Sequence, residues 1–223
     1  AFVADALGAG AVAAVVSQAI PGWPTVDLSS GTAPAVGTVP RLIRVPDTLA
    51  ALQRAAAARR AAYPGVRVVA VTGSVGKTTT KEAVYAVLAQ RYRTLRSAGN
   101  QNNEIGLPLT LLALTSAHER AVLEMGMYAL GEIAALCRIA RPQWGVVTNI
   151  GPVHLERLGT IERIARAKGE LLDALPSDGL AILNGDDARV MALPTAPGLR
   201  RLTYGRNAGV DICATDVATL GLE

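Results

Sequence analysis

Residues 71–82 read VTGSVGKTTTKE. An apolar run breaks into glycines, and Gly76-Lys77-Thr78 then opens a helical pattern. Glycines let backbone N–H groups turn toward phosphate oxygens, and a helix N-terminus adds positive potential. Lys77 can reach β- and γ-phosphates as a compact point charge, and the Thr78 hydroxyl can join a magnesium shell. The stretch departs from G-x-x-x-x-G-K-[ST] only at its first glycine, where Val71 stands. Gly73, Ser74, Val75, Gly76, Lys77, Thr78 and Thr79 are the expected nucleotide-phosphate contacts. The bland alternative is a glycine-rich turn carrying a surface lysine. Lys81, one helical turn on, reads as a solvated helix residue.

Lys168 stands out by its rarity. Of the 22 basic residues only three are lysines, Lys77, Lys81 and Lys168. From Thr160 onward the apolar positions Ile161, Ile164, Ala165, Leu171, Leu172 and Leu175 follow helical spacing, and Lys168 falls on their face. Glu162, Arg163, Arg166 and Asp173 point elsewhere. A lysine on a core-facing stripe is costly unless it is paired or functional. The alternative is a buried stem with the ammonium snorkelling outward.

Other oxygen and nitrogen donors follow the apolar runs. Glu124 ends one of them, where a carboxylate suits Mg²⁺, a hard cation that prefers oxygen ligands; it could equally be an ordinary strand-end carboxylate. His154 lies just past Thr148-Asn149-Ile150-Gly151, and a lone histidine is more often structural than catalytic. His118 reads as a surface loop residue. Asn100, Asn102 and Asn103 offer amide donors and acceptors, or form a turn with Asx hydrogen bonds.

The elements that must position these groups alternate regularly. Strand-like stretches at 66–72, 120–125, 144–150 and 180–184 are separated by helical patterns at about 77–90, 106–114, 130–140 and 160–175. Nearly continuous apolar strands alternating with helices imply an α/β fold, a mostly parallel sheet covered on both faces. Ligands of such sheets sit at the carboxyl ends of the strands, where the residues above fall. Upstream, short strands are expected near 11–16 and 41–45, with loop over 21–40. Asp47 caps a helix that ends at Tyr63-Pro64-Gly65, the expected domain boundary.

Bulk composition narrows the function classes. Half of the 223 residues are hydrophobic and 18% are charged, which is globular. The net charge of +4 comes from scattered arginines with few aromatics among them, which argues against nucleic acid. The two cysteines have neither metal-ligand nor disulfide-scaffold spacing, so a reducing cytoplasm is expected. The longest apolar run, 6–16, is too short for a membrane span of about 20 residues and lacks the basic flank of a signal peptide. No initiator Met is present, so the chain reads as starting inside a domain.

With the phosphate loop in front, AGNQNNEIGLPLTLLAL (98–114), LEMGM (123–127), GEIAAL (131–136), TNIGPVHLERLG (148–159) and AKGELL (167–172) resemble the Mur ligases, in order over residues 41–187. These are ATP-dependent, amide-forming enzymes of peptidoglycan precursor synthesis. Thr79-Thr80-Lys81-Glu82 and the Gly-Asn-x-Asn-Asn run resemble the branch that joins D-alanyl-D-alanine to UDP-MurNAc-tripeptide. The resemblance implies a partial P-loop ligase. Residues 1–46 correspond to the end of a nucleotide-sugar domain, 47–65 to a connecting helix and linker, and 66–223 to the central ATP-binding domain. The resemblance implies that the family's C-terminal domain is absent from residues 1–223, which alone are expected to turn over little product.

The resemblance also implies the site. Two Mg²⁺ ions are expected, one at Thr78 and Glu124. The other is expected at His154 and Lys168, with Lys168 carbamylated by CO₂. Burial depresses a lysine pKa and supplies the neutral amine that this requires, which arginine cannot do. Asn100, Asn102 and Asn103 correspond to substrate contacts, and LNGDDARV (183–190) to the adenine-side segment, with Asn184 the expected contact. A cytoplasmic monomer is implied. Two alternatives stay open: another Mur-type or folylpolyglutamate-type ligase, and a nucleotide-binding module without ligase activity.

Overall fold

The structure is a computed structural model that describes residues 2–28, 42–153 and 155–218. Two compact units divide the chain at Arg54/Ala55. In the first, helix α1 (Phe2–Gly8) precedes three short parallel strands, β1 (Ala14–Val16), β2 (Thr25–Asp27) and β3 (Leu42–Arg44), in the order β1-β3-β2. The expected loop over 21–40 is corrected by β2, which is too short for a periodic signal. Its pairing is carried by Val26 opposite Ile43 and by the Arg44–Asp27 ion pair at 3.0 Å. Residues 29–41 of that loop lie outside the described residues. Asp47 caps α2 (Thr48–Ala61) as expected, its Oδ1 accepting from the amides of Leu49 and Ala50 at 2.8 and 3.0 Å.

The second unit is built on seven parallel strands. In chain order it runs β4 (Arg67–Thr72), α3 (Lys77–Ala89), β5 (Thr94–Arg96), α4 (Gly106–Leu112), β6 (Arg120–Glu124), α5 (Glu132–Ala140) and β7 (Trp144–Val147). There follow α6 (Leu155–Leu158), α7 (Ile161–Asp173), β8 (Leu180–Asn184), α8 (Ala188–Met191), β9 (Arg200–Gly205) and β10 (Ile212–Cys213). The spatial order is β10-β9-β8-β7-β4-β6-β5. The chain starts at a central strand, fills one side, then crosses back and fills the other. Strand order therefore reverses at β4, and the crevice lies at the carboxyl ends of β4, β6 and β7.

Both faces of the sheet are covered, which is why the central strands carry apolar runs. Val68 and Ala70 of β4 pack into the larger core with α4, α5 and α7, while Val69 and Val71 face Val84, Tyr85 and Leu88 of α3. Ile164, Leu171 and Leu172 of α7 are fully buried, and each such side chain contributes about 1.5–3 kcal/mol. Close seating of α7 needs Gly145 on β7, where an added Cβ would lie 3.1 Å from side-chain atoms of both Leu171 and Leu175. Among the described residues no helix is long and apolar enough to cross a membrane.

Besides β2, three strands were not expected from the sequence: β5, β9 and β10. The expected strand over 144–150 stops at Val147, because Thr148 and Asn149 turn their side chains to the neighbouring loop. The expected helix over 160–175 is α7 alone. The turn of α6 precedes it, separated by Gly159 at φ 80°.

Candidate active site

The loop after β4 is held in one shape by the segment after β7. The Thr148 hydroxyl donates to the carbonyl of Val75 at 2.8 Å, and Asn149 bonds the same residue twice, Nδ2 to its carbonyl and Oδ1 from its amide, both at 2.9 Å. Ser74 donates its hydroxyl to the Gly151 carbonyl at 3.0 Å and accepts the Gly151 amide at 2.8 Å. The approach is so close that a Cβ on Gly73, at φ 149°, would sit 1.8 Å from the Thr148 hydroxyl oxygen. Gly76, at φ 80°, then turns the chain into α3.

This bracing divides the loop's amides. Those of Ser74 and Val75 are donated to Asn149, at 3.0 Å to its carbonyl and 2.9 Å to its side chain. The amides of Lys77, Thr78 and Thr79, at the open end of α3, are the ones a helix leaves without an internal acceptor. They point where an anion is stabilised. Lys77 lies over the loop, its Nζ donating to the carbonyls of Gly73 and Ser74 at 3.0 and 3.2 Å. Partial burial lowers its pKa, and the nearby Glu124 opposes that shift.

Glu124 is the centre of the site. It ends β6 beside Val71 of β4 and is 1% exposed. Its Oε2 accepts from the Thr78 hydroxyl at 2.9 Å and its Oε1 from Asn102 Nδ2 at 2.8 Å. Lys81 Nζ stands 3.9 Å from Oε2. The solvated placement expected for Lys81 is corrected: its side chain is fully buried, and its ammonium donates to the carbonyls of Ser97 and Gly99 at 2.9 and 2.7 Å. The physical reason is the turn of chain from 97 to 102, which wraps over α3 and closes off water.

Asn102 and Asn103 are both engaged. Asn102 holds Glu124, and Asn103 Oδ1 accepts the amide of Gly106, the first residue of α4, at 2.8 Å. Asn100 is exposed on the same turn. Asn184 lies farther out, at the end of β8. It donates to the Thr148 carbonyl at 2.8 Å and accepts from the Asp186 amide at 3.0 Å. Asp187 accepts the Ile150 amide at 2.8 Å and caps α8. His118 is spent locally on Thr115.

Lys168 sits on the inner face of α7, 2% exposed, as the periodicity predicts. Among the described residues its amine has no hydrogen-bond or ion-pair partner. Burial pushes its pKa down to about 7, and repulsion from the Lys77 ammonium adds to the shift. Two residues on, Glu170 fixes the helix by accepting the amides of Gly131 and Ala134 at 2.6 and 3.0 Å, at the start of α5. His154 lies outside the described residues.

The structure thus brings Lys77, Thr78, Glu124 and Asn102 together and sets Lys168 within electrostatic reach of Lys77. Sequence reasoning missed Lys81, Thr148, Asn149 and Ser97. Only Lys81 had a signal, its place among three lysines. The oxygen-rich corner at Thr78 and Glu124 suits a hard divalent cation. Among the described residues no cluster of three His, Cys, Asp or Glu side chains forms.

The model of the Mur ligase middle domain matches residues 71–220. The chain is 42% identical over 217 residues to the UDP-N-acetylmuramoyl-tripeptide–D-alanyl-D-alanine ligase of Bacillus subtilis, covering 97% of this chain and 44% of that protein. Among solved structures it is similar to MurF from Acinetobacter baumannii, with a TM-score of 0.82, 32% identity, and coverage of 98% of this chain and 45% of that one. It is also similar to the MurF ligase of Thermotoga maritima in complex with ADP, with a TM-score of 0.75, 33% identity, and coverage of 94% and 45%. The chain therefore spans a little under half the length of these relatives.

Proposed function

The chain belongs to the Mur ligase family through its middle domain, and on that premise we propose that it is the ATP-binding part of a ligase joining D-alanyl-D-alanine to UDP-MurNAc-tripeptide. The observation that carries the reading is the Lys77–Thr78–Glu124 corner at the switch point of the sheet. ATP transfers its γ-phosphoryl group to the terminal carboxylate of the tripeptide, giving ADP and an acyl phosphate. The dipeptide amine attacks that carbonyl, and inorganic phosphate leaves from a tetrahedral intermediate as the amide forms.

The side chains divide this work by position and charge. Lys77 neutralises the β- and γ-phosphates, and the first-turn amides of α3 hold their oxygens. Thr78 and Glu124 would hold one Mg²⁺; His154 and Lys168, as its carbamate, would hold a second. When bound, these ions offset the negative charge that otherwise keeps carboxylate and triphosphate apart. Asn184 lies on the adenine side, and Asn100, Asn102 and Asn103 on the nucleotide-sugar side. Residues 66–223 act as the central domain, with 1–46 part of a nucleotide-sugar domain and 47–65 joining them. The protein works as a cytoplasmic monomer.

The test is the full-length protein with ATP, Mg²⁺, UDP-MurNAc-tripeptide and D-alanyl-D-alanine. The expected result is one ADP and one phosphate per amide, with ADP release dependent on the tripeptide. Glutamate addition to a folate instead would establish the runner-up, and ADP binding without any ligation would leave only a nucleotide-binding module.

A further inference from the structure

Lys81 is the third lysine of an arginine-rich chain, and phosphate binding does not use it. It is fully buried, yet its ammonium meets four oxygens from three parts of the fold. These are the carbonyls of Ser97 and Gly99 after β5, Glu82 Oε1 on its own helix at 3.2 Å, and Glu124 Oε2 on β6 at 3.9 Å. A tetrahedral ammonium has three separately directed donors, whereas a planar guanidinium has a fixed fork. That geometry accounts for lysine here where the chain elsewhere writes arginine.

The turn that Lys81 holds closes on Glu124 from the other side. Glu124 donates its amide to the Ser97 hydroxyl at 3.2 Å and accepts Asn102 Nδ2 at 2.8 Å. The Asn102 carbonyl accepts the Gly126 amide at 2.8 Å. The fit is tight, since a Cβ on Gly126 would lie 2.9 Å from the Asn102 side-chain oxygen. Glu82 extends the link by pairing with Arg96, which stacks over Tyr85 at 4.2 Å.

We propose that Lys81 is a positioning residue that pins the 97–103 turn to α3 and Glu124, so that the cation corner and the asparagine turn assemble as one unit. The proposal rests on the reading of Glu124 as a cation ligand. Its consequence is mutual support: a cation at Thr78 and Glu124 rigidifies the asparagine turn, and the ordered turn keeps the Glu124 carboxylate aimed.

The experiment compares the full-length wild type with Lys81→Met by hydrogen exchange across 97–103 and by Mn²⁺ binding to the ADP complex. Loss of an outer partner of a metal ligand costs about 10- to 100-fold in metal affinity, and that loss of Mn²⁺ is expected. The 97–103 amides should exchange about tenfold faster, as local opening becomes easier. Metal-free ADP affinity should move less than about threefold, because Lys77 and the α3 amides remain. In the wild type, Mn²⁺ with ADP should slow exchange across 97–103, and Lys81→Met should remove that protection. Lys81→Gln serves if the methionine variant does not fold, with the same directions expected. Wild-type exchange and Mn²⁺ affinity in either folded variant would overturn the proposal. A wild type that binds ADP without retaining Mn²⁺ would instead defeat the cation reading of Glu124, and the exchange of the nucleotide-free variants would still decide whether Lys81 pins the turn.

Discussion

Thr78 Oγ1 donates to Glu124 Oε2 at 2.9 Å, joining the first turn of the phosphate-loop helix to the end of the neighbouring strand. Glu124→Gln keeps the shape and removes the charge. Divalent-cation affinity in the nucleotide complex should fall at least about tenfold, measured with Mn²⁺. The same change leaves the buried Lys81 ammonium with Glu82 as its one carboxylate partner among the described residues, so unfolding free energy should drop by about 1–3 kcal/mol in urea titrations. Unchanged cation affinity would remove Glu124 from the ligand set.

Lys77 separates binding from folding. Among the described residues its ammonium bonds only loop carbonyls, so Lys77→Ala should leave thermal stability within a few degrees. Nucleotide affinity should fall at least about 100-fold, near 2.7 kcal/mol, as the triphosphate loses its main cation. Calorimetric titration with ADP reads this directly. An affinity equal to wild type would mean that the loop does not cradle phosphate.

Gly73 and Thr148 form a testable steric pair. Gly73→Ala places a methyl group on the threonine hydroxyl and forces a side chain into positive φ, which should cost roughly 2–4 kcal/mol. Thr148→Ala removes the oxygen, so the double variant should recover about 1 kcal/mol or more relative to the sum of the singles. Additivity in a denaturant cycle would show that the two residues do not meet.

The phosphate loop and the β4–α3 turn were legible because glycine positions, an apolar strand and a helix start lie adjacent in the sequence. Lys168 was legible because helical period fixes the inward face from few residues. Lys81 was misread for the converse reason. Its burial comes from a turn some 16–21 residues away, and no periodicity of α3 contains that contact. Thr148 and Asn149 read as strand end, since what they bind lies more than 70 residues earlier. The β5, β9 and β10 strands are short or rich in arginine, and parallel neighbours rather than their own pattern make them strands.

Lys168 carries the sharpest pH prediction. Its folded pKa, about 7, lies below the ordinary 10.5. Between those values the unfolded chain holds a proton that the folded chain has released, so stability rises with pH across that window. The penalty is full below about 7 and gone above 10.5. At up to ~1.4 kcal/mol per pH unit, the wild type should gain about 2 kcal/mol from pH 7 to 9 in CO₂-free buffer, and Lys168→Met should lack that gain. The same neutral amine is the form that adds CO₂, so ¹³C-bicarbonate should give a carbamate resonance that Lys168→Arg abolishes. In the full-length protein Lys168→Ala should lose activity and recover part of it with short carboxylates, which supply the missing oxygens. Lys168→Arg should be as impaired as Lys168→Ala, because the species required is an anion. Near-normal rates in Lys168→Arg would make Lys168 a structural cation and end the carbamate assignment.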